Sequence, residues 1–220
     1  MKKLSKLILI VLTGVMFTQN IFAIGAGITS LNFLKISLGA RQAGMGEAFT
    51  GLADDVNAIY WNPAGLGQLT RMQACLMHSL WMIDVNFQYL AFAIPLSGIG
   101  TAAIYGTFVN AGEITRTIED ATGNYFSTEE KAQASDLNIT AAFGKKMSDF
   151  FGENSVFSDL YAGISLNISN ETIYTDSGGG FSANIGAYYY PKYEGYSIGL
   201  MVQNAGVSNN RPGLPLAIRA

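Results

Sequence analysis

The carboxyl-terminal two thirds of the chain alternates apolar and polar residues with a period of two. The alternation is clearest from Ser135 onward, where it recurs in four segments. Their apolar members are Leu137, Ile139, Ala141 and Phe143; Leu160, Ala162, Ile164, Leu166 and Ile168; Phe181, Ala183, Ile185, Ala187 and Tyr189; and Tyr196, Ile198, Leu200 and Val202. This pattern predicts β-strands that each have one apolar and one polar face.

The length and chemistry of these segments favour strands that cross a membrane. They run for about 9 to 11 residues, which suits a tilted strand across a bilayer better than the usual 5 to 6 of a globular strand. The polar positions carry Ser, Asn, Thr, Gln and Gly, with few of the Lys, Glu and Arg residues that cover a soluble sheet. We therefore expect lipid on the apolar side and a polar interior, with a soluble periplasmic β-sandwich as the alternative.

Three further segments join or extend these strands. Residues 85–112 are uncharged, but Pro95, Gly98 and Gly100 interrupt them, which predicts a β-hairpin instead of a membrane helix. Residues 110–134 are polar and predict a solvent-exposed excursion with short flanking strands at 114–118 and 125–128 and a turn at residues 122–124. Residues 146–157 predict a turn or a short helical piece.

The amino terminus has the three parts of a secretory signal peptide. Lys2, Lys3 and Lys6 precede the uncharged stretch Leu7–Phe17, and the small residue Ala23 follows. The sequence therefore predicts a signal peptide over residues 1–23 and an exported protein.

Composition limits the chemistry that the chain can carry. The chain has 13 basic and 16 acidic residues, and removal of three lysines with the signal peptide leaves 10 against 16, a net charge of −6. No basic patch points to nucleic acid as a partner. One cysteine, Cys75, and one histidine, His78, give little material for a disulfide, a metal centre or a catalytic triad. We expect no catalytic residues, no cofactor and no metal, so an enzyme is the least favoured class.

Hydrophobic residues make up 49% of the chain and charged residues only 13%, about half the ordinary charged share. This balance also favours a strand-rich protein that faces lipid.

Residues 39–53 form a stretch of small side chains before the strands. The spacing of Gly44 and Gly46 fails the G-x-G-x-x-G dinucleotide pattern at Phe49, and a calcium loop starting at Asp55 fails at Ile59. What remains is close packing of the backbone against neighbouring structure. The glycines assigned to this packing are Gly39, Gly44, Gly46 and Gly51.

Asn62, Pro63, Ala64 and Gly65 predict a stiff turn just ahead of the first strand. The residue before a proline is held away from helical geometry, the proline fixes φ, and Gly65 permits a left-handed exit. The Asn62 side chain can also cap nearby backbone groups. An ordinary loop before a sheet is the alternative interpretation.

The stretch "GARQAGMGEAFTGLADDVNAIYWNPAGLGQL" resembles the amino-terminal region of the FadL-like outer-membrane proteins, most closely the PorV/PorQ-type branch. The resemblance covers about Phe33 to Leu69. It implies an antiparallel transmembrane β-barrel of fourteen strands, in the outer membrane of a diderm bacterium, with an N-terminal hatch that plugs the lumen.

The resemblance also implies a function. FadL-like relatives take up hydrophobic small molecules such as long-chain fatty acids, whereas PorV-like relatives serve protein secretion and surface attachment. Carried onto this chain, Asn62, Pro63, Ala64 and Gly65 are the gating motif of the hatch. Its polar anchoring set is Arg41, Glu47, Asp54 and Asp55, for which a local ion-pair set is favoured over ligand contact. The implied partners are outer-membrane lipid and a hydrophobic ligand, or secretion-system proteins.

Three regions follow: the signal peptide at 1–23, a hatch at 24–70 and barrel strands at 71–220. Only about eight spans are found after residue 70, fewer than the resemblance implies. Eight strands have no room for a plug of roughly forty residues in their lumen. We therefore expect the chain to be a fragment or part of a split gene, unless a partner completes the wall.

Overall fold

A computed structural model describes residues 29–80, 85–151, 157–191, 195–209 and 213–220. The predicted signal peptide and residues 152–156 of the predicted turn or helical piece at 146–157 lie outside these residues.

The chain folds into one antiparallel β-sheet of eight strands in sequential order. The strands are β1 (Gln73–Leu80), β2 (Asn86–Leu96), β3 (Gly100–Glu119), β4 (Tyr125–Lys146), β5 (Leu160–Ile173), β6 (Asp176–Tyr189), β7 (Ile198–Ser208) and β8 (Ala217–Arg219). Each strand pairs with its sequence neighbour, and β1 does not pair with β8 within the described ranges, so the sheet is not closed. The all-β class and the number of strands predicted after residue 70 are confirmed.

The amino-terminal segment, residues 29–70, consists of short helices and turns. It contains a 3₁₀-helix at Asn32–Lys35, α1 (Ala40–Gly44), α2 (Ala58–Trp61) and a second 3₁₀-helix at Pro63–Gln68. Outside this segment, one further short helix, α3 (Ser148–Phe151), follows β4. The apolar side chains of the amino-terminal segment form most of the buried core together with residues of β2 and β3. In the part of the chain that the structure describes, no helix has the length and apolar character needed to cross a membrane.

The two faces of the sheet differ in the way the alternation predicts. We call the face covered by the amino-terminal segment the inner face and the opposite one the outer face. In β4, Asn138 and Thr140 on the inner face are 0% exposed, while Leu137 and Ile139 on the outer face are 45% and 49% exposed. The outer face continues with exposed Leu76, Leu90, Phe92, Ile104, Phe108, Ile164, Leu166, Ile168, Phe181, Ile185, Leu200 and Val202. In β4, β5 and β6 polar side chains are thus buried and apolar ones exposed, the reverse of a soluble sheet, whereas the inner face of β2 and β3 also carries buried apolar side chains such as Phe87 and Tyr89.

The buried polar side chains of the inner face bond to one another across strands. Thr140 Oγ1 donates to Asn167 Oδ1 over 2.7 Å, and Asn167 Nδ2 donates to Ser182 Oγ over 2.9 Å. Asn184 Nδ2 donates to Ser165 Oγ over 2.7 Å. Because each side chain finds a partner on the next strand, their burial carries no unsatisfied-group penalty.

The polar excursion predicted at 110–134 is exposed, but it is not a loop with short flanking strands. β3 and β4 continue as a two-stranded extension as far as Glu119 and Tyr125, with register shifts near Asn110 and Thr115. The predicted β-structure at 114–118 and 125–128 and the turn between them are confirmed, but both segments are continuations of β3 and β4. The tip is closed by Asp120, whose Oδ1 accepts from the backbone N–H of Thr122 over 2.8 Å.

Candidate functional site

Asn62 is the residue through which the amino-terminal segment joins the sheet. Its backbone is extended, with φ −168° and ψ 100°, as expected before a proline. Its Oδ1 accepts from Ala64 N over 3.2 Å, which confirms the predicted local cap. Its Nδ2 donates to Thr50 O over 3.0 Å and to Ala187 O of β6 over 3.1 Å. One buried amide therefore ties together the turn, the Thr50 loop and the sheet.

Four glycines of the sheet lie against this turn and the Thr50 loop. We call the row, one glycine from each of four adjacent strands, the glycine seat: Gly144, Gly163, Gly186 and Gly199. A Cβ atom at any of these positions would fall inside van der Waals contact with the amino-terminal segment. The atoms it would meet are Pro63 O for Gly144, Pro63 C and Ala64 N for Gly163, Asn62 Oδ1 for Gly186 and Thr50 O for Gly199. Only glycine allows this approach.

The glycine seat was not predicted from the sequence. Each of its members occupies a polar-side position in an alternating strand, where a glycine has no distinctive meaning. The strand register aligns Gly144 with Gly163 and Gly163 with Gly186. The signal that could have revealed these three is therefore glycines at one level of neighbouring strands, which requires the pairing to be known. Gly199 lies two residues along β7 from Met201, the partner of Gly186.

The glycines that were predicted to pack closely behave unequally. At Gly39, with φ +91°, a Cβ atom would collide with the side chain of Gln42, and at Gly51 it would approach Gly199 N to 3.5 Å. Gly44 and Gly46 face open space, so the packing prediction is wrong for both, and Gly46 instead serves a backbone with φ +63°. These two lie on the exposed side of α1 and its following turn, away from the sheet.

Gly65 is needed for a reason other than the predicted one. It lies inside the second 3₁₀-helix and is not among the residues with positive φ, so the predicted left-handed exit is wrong. A Cβ atom on Gly65 would instead collide with the backbone oxygen of Ala53. The glycine thus lets two parts of the amino-terminal segment pack against each other.

Three of the four residues expected to form a polar set, Arg41, Asp54 and Asp55, lie together in ion pairs. Arg41 contacts Asp54 at 2.6 Å and Asp55 at 3.1 Å. Hydrogen bonding to Asp54 raises the pKa of Arg41 above its ordinary value. Asp55 also accepts from Gln42 Nε2 over 3.1 Å and from Asn57 N over 2.8 Å. Glu47 is exposed and takes part in none of the ion pairs found among the described residues.

These contacts support the interpretation of Arg41, Asp54 and Asp55 as a local ion-pair set. The Arg41 and Asp54 side chains are 48% and 40% exposed. The partly buried Asp55 holds the turn that leads into α2.

Arg219 of β8 makes a second contact between sheet and segment, and sequence reasoning missed it. Its guanidinium carbon lies 4.4 Å from the ring centroid of Trp61 and 5.2 Å from that of Tyr60. Its Nη2 donates to Tyr60 OH over 3.2 Å, and its Nε donates to Gln203 Oε1 over 2.8 Å. The one signal in the sequence was a charged residue, Arg219, on a short alternating strand.

Little space remains between the amino-terminal segment and the sheet near these contacts. A cavity of about 10 Å³ lies there, lined by Phe33, Leu34, Ile36, Leu38, Tyr60, Phe87, Tyr105, Thr107 and Asn138. That volume holds about one water molecule. Among the described residues, no three His, Cys, Asp or Glu side chains come together in a way that could hold a metal ion.

The fold and its site define a class: an antiparallel β-sheet protein with an apolar outer face, whose inner face holds an amino-terminal segment by an asparagine–proline turn. The chain belongs to the Uncharacterised protein family (UPF0164), whose model matches residues 23–209. A search of curated proteins finds no match.

Proposed function

We propose that the protein is an outer-membrane β-barrel protein of the FadL-like type that lets hydrophobic small molecules, such as long-chain fatty acids, pass through a hatch-gated lumen. In this proposal the eight strands form part of the barrel wall, and the amino-terminal segment is the hatch. The lipid of the outer membrane of a diderm bacterium covers the outer face.

The observation that carries the proposal is the inversion of the two faces of the sheet. Large side chains such as Leu76 at 79% exposed and Ile168 at 67% exposed cover the outer face, and their contact with water would be unfavourable. In lipid the same face is favourable, while the buried polar face is what a membrane barrel directs inward.

The distribution of charge supports the same location. Residues 160–170 of β5 and 177–189 of β6 carry no charged residue, and Glu171 and Asp176 stand where these two spans meet. Lys145 and Lys146 lie at the end of β4, next to the other ends of these two spans. Charges at both ends of an uncharged span are typical of strands that cross a bilayer.

Gating by the hatch is supported by the small size of the cavity that the described residues leave between the amino-terminal segment and the sheet. A cavity of about 10 Å³ is too small for any fatty acid, so passage in this proposal requires the hatch to move. The glycine seat and Asn62 hold the closed position. Arg219 adds a polar contact between the wall and the hatch through Tyr60.

A reversible cross-link between hatch and wall tests this proposal. Ser197 donates to Gly51 O, and a Cβ atom on Gly51 would lie 3.7 Å from Ser197 O, so cysteines at both positions are close enough to join. The variant is Gly51→Cys with Ser197→Cys in a Cys75→Ser background. Cells carrying it should lose saturable uptake of a labelled long-chain fatty acid on oxidation and recover it on reduction.

The controls are the two single-cysteine variants, whose uptake should not respond to oxidant. Equal uptake in the cross-linked and the reduced states, with the cross-link verified by gel mobility, would exclude gating by this hatch.

A PorV-like component of protein secretion or surface attachment is a second candidate. It is favoured by the extension of β3 and β4, which leaves Ile114, Tyr125 and Phe126 exposed beyond the neighbouring strands and available to an exported protein. Deletion of residues 113–132 should then release cargo from the cell surface without changing fatty-acid uptake. Retention of every exported protein at the surface would argue against this candidate.

A further inference from the structure

The outer face carries a groove where the register sets small side chains beside bulky ones. Lys145, Ala162 and Ala187 occupy one level of β4, β5 and β6. Phe143, Ile164 and Ile185 occupy the next level on the same face. The two alanines therefore leave a trough alongside a ridge of larger side chains.

Residues that follow β4 form the other side of the trough. Met147 and Phe150 of the α3 region line it, and Lys145 Nζ lies 4.8 Å from the Phe150 ring centroid. Lys145 Nζ also donates to Gly98 O over 3.2 Å, which fixes the ammonium at the rim. The result is an apolar groove of about 280 Å³, and Lys145 is the one cation among the described residues that line it. This volume lies just below the usual range of ligand pockets, about 300–1,000 Å³.

An apolar groove with a single cation at its edge is complementary to an amphiphile that has a hydrocarbon chain and an anionic head. The groove opens on the outer face, because Ile164 and Ile185 are exposed there at 46% and 62%. In the proposed membrane location, its occupant comes from the surrounding lipid and not from the lumen. An ammonium close to a membrane surface favours anionic over zwitterionic headgroups.

We propose that this groove binds one acyl chain of an anionic phospholipid of the phosphatidylglycerol class, with its phosphate at Lys145 Nζ. The inference rests on the proposed membrane location of the sheet. It adds a lipid site that is separate from the hatch and the lumen.

A second groove on the same face provides an internal comparison. It has a volume of about 470 Å³ and lies above Gly106, between Leu90, Ile104 and Ile139. Its lining contains no charged side chain. Acyl chains should therefore enter it without regard to headgroup, whereas the groove at Lys145 should select for an anionic headgroup.

The test uses the full chain in phosphatidylcholine nanodiscs with a trace of a photoactivatable lipid. The probe carries a diazirine on its acyl chain and either a phosphatidylglycerol or a phosphatidylcholine headgroup, and labelled peptides are mapped by mass spectrometry. At Phe143, Ile164 and Phe150 the phosphatidylglycerol probe should give about fivefold more labelling, the preference that one lysine confers. Around Gly106 the two probes should label equally.

Three variants separate the contributions. Lys145→Gln should remove the headgroup preference at the first groove, Ala162→Phe should fill that groove and reduce labelling by both probes, and Gly106→Leu should affect the second groove alone. Equal labelling of the first groove by both probes, or an unchanged preference in Lys145→Gln, would overturn the lipid site. A chain that inserts and is labelled around Gly106 but shows no preference at Lys145 loses only this inference, whereas a chain that does not enter nanodiscs contradicts the proposed function as well.

Discussion

The side-chain oxygen of Asn62 occupies the space in which a Cβ atom of Gly186 would lie. Pro63 Cδ lies 3.1 Å from the same point. The amino-terminal segment therefore meets β6 at backbone distance, and Asn62 Nδ2 reaches the next carbonyl of that strand, Ala187 O, over 3.1 Å. Close packing against Gly186 and the hydrogen bond to Ala187 O occur at the same place. Substitutions at Gly186 or at Asn62 should therefore displace the amino-terminal segment.

Gly186→Ala should loosen the segment from the wall. The added methyl group collides with Asn62, whose position is fixed by three hydrogen bonds, and such overpacking costs about 1–3 kcal/mol. The measurement is the denaturant midpoint of the folded protein together with protease protection of residues 29–70. Gly106→Ala is the matched control, because a Cβ atom there approaches nothing closer than 3.7 Å. Equal losses in both variants would contradict the role of the glycine seat.

Asn62→Ala and Asn62→Asp should both destabilise the docked segment. Alanine leaves Thr50 O, Ala187 O and Ala64 N without a side-chain partner, and each buried unsatisfied group costs about 1–3 kcal/mol. Aspartate keeps the acceptor for Ala64 N but loses both donors and buries a charge. We expect denaturant unfolding to show a substantial loss for both. A stability equal to that of the unmodified protein in Asn62→Ala would show that the amide is dispensable.

Asp55→Ala should cost more stability than Asp54→Ala. Within the described ranges Asp54 bonds only to the half-exposed Arg41, and an exposed pair of this kind contributes about 0.2–1 kcal/mol. Asp55 also accepts from Gln42 and from the Asn57 backbone, and a hydrogen bond to a charged group contributes about 1.5–3 kcal/mol. Chemical denaturation of the two variants gives the comparison, and Glu47→Gln, which touches neither acid, should leave the midpoint unchanged. The opposite order of Asp54 and Asp55 would contradict this assignment.

The tip of the β3–β4 extension should stay ordered down to an unusually low pH. The Thr122 hydroxyl and the backbone N–H groups of Asn124 and Thr122 donate to Asp120 and lower its pKa to about 2. Because this folded-state pKa lies below the ordinary value of about 3.9, the stabilisation is complete above pH ~4 and is lost as the pH falls through about 2. A nitroxide at Ala121→Cys, in the Cys75→Ser background, should gain mobility only in that window.

Asp120→Ala serves as the control for this titration, since the same nitroxide should be mobile in it at every pH. A transition centred near pH 4 in the unmodified tip would show that the hydrogen bonds to Asp120 do not form.

The alternation of side chains was enough to predict the wall but not the seat of the amino-terminal segment. Leu137 and Asn138 take opposite faces because a strand has a period of two, a local property that sequence displays directly. Gly44 and Gly199 look alike in sequence, yet only Gly199 meets another backbone, because that meeting depends on residues about 150 positions away along the chain. Arg219 was missed for the same reason: its aromatic partners lie in a segment that only the folded chain brings near.

The anchoring of the amino-terminal segment was predicted where it is local. Arg41 and Asp54 lie 13 residues apart in one segment, and the resemblance placed both in one polar set for which a local ion-pair set was the favoured interpretation. Glu47 lies between them, but its backbone has φ +67° and its side chain is exposed, away from Asp54 and Asp55. The acidic residues of the expected set therefore pair with Arg41 only where the backbone also turns their side chains toward it.

The most direct test of the central claim is a nitroxide scan of β5 in a lipid bilayer. Each residue from Ile164 to Ser169 is replaced in turn by a spin-labelled cysteine, and collision with oxygen and with a water-soluble nickel complex is measured. The account predicts high oxygen accessibility at Ile164, Leu166 and Ile168 and low accessibility to both reagents at Ser165, Asn167 and Ser169. Nickel collisions at the outer positions as frequent as those at Ala121 on the exposed tip would show that the apolar face lies in water and would contradict the account.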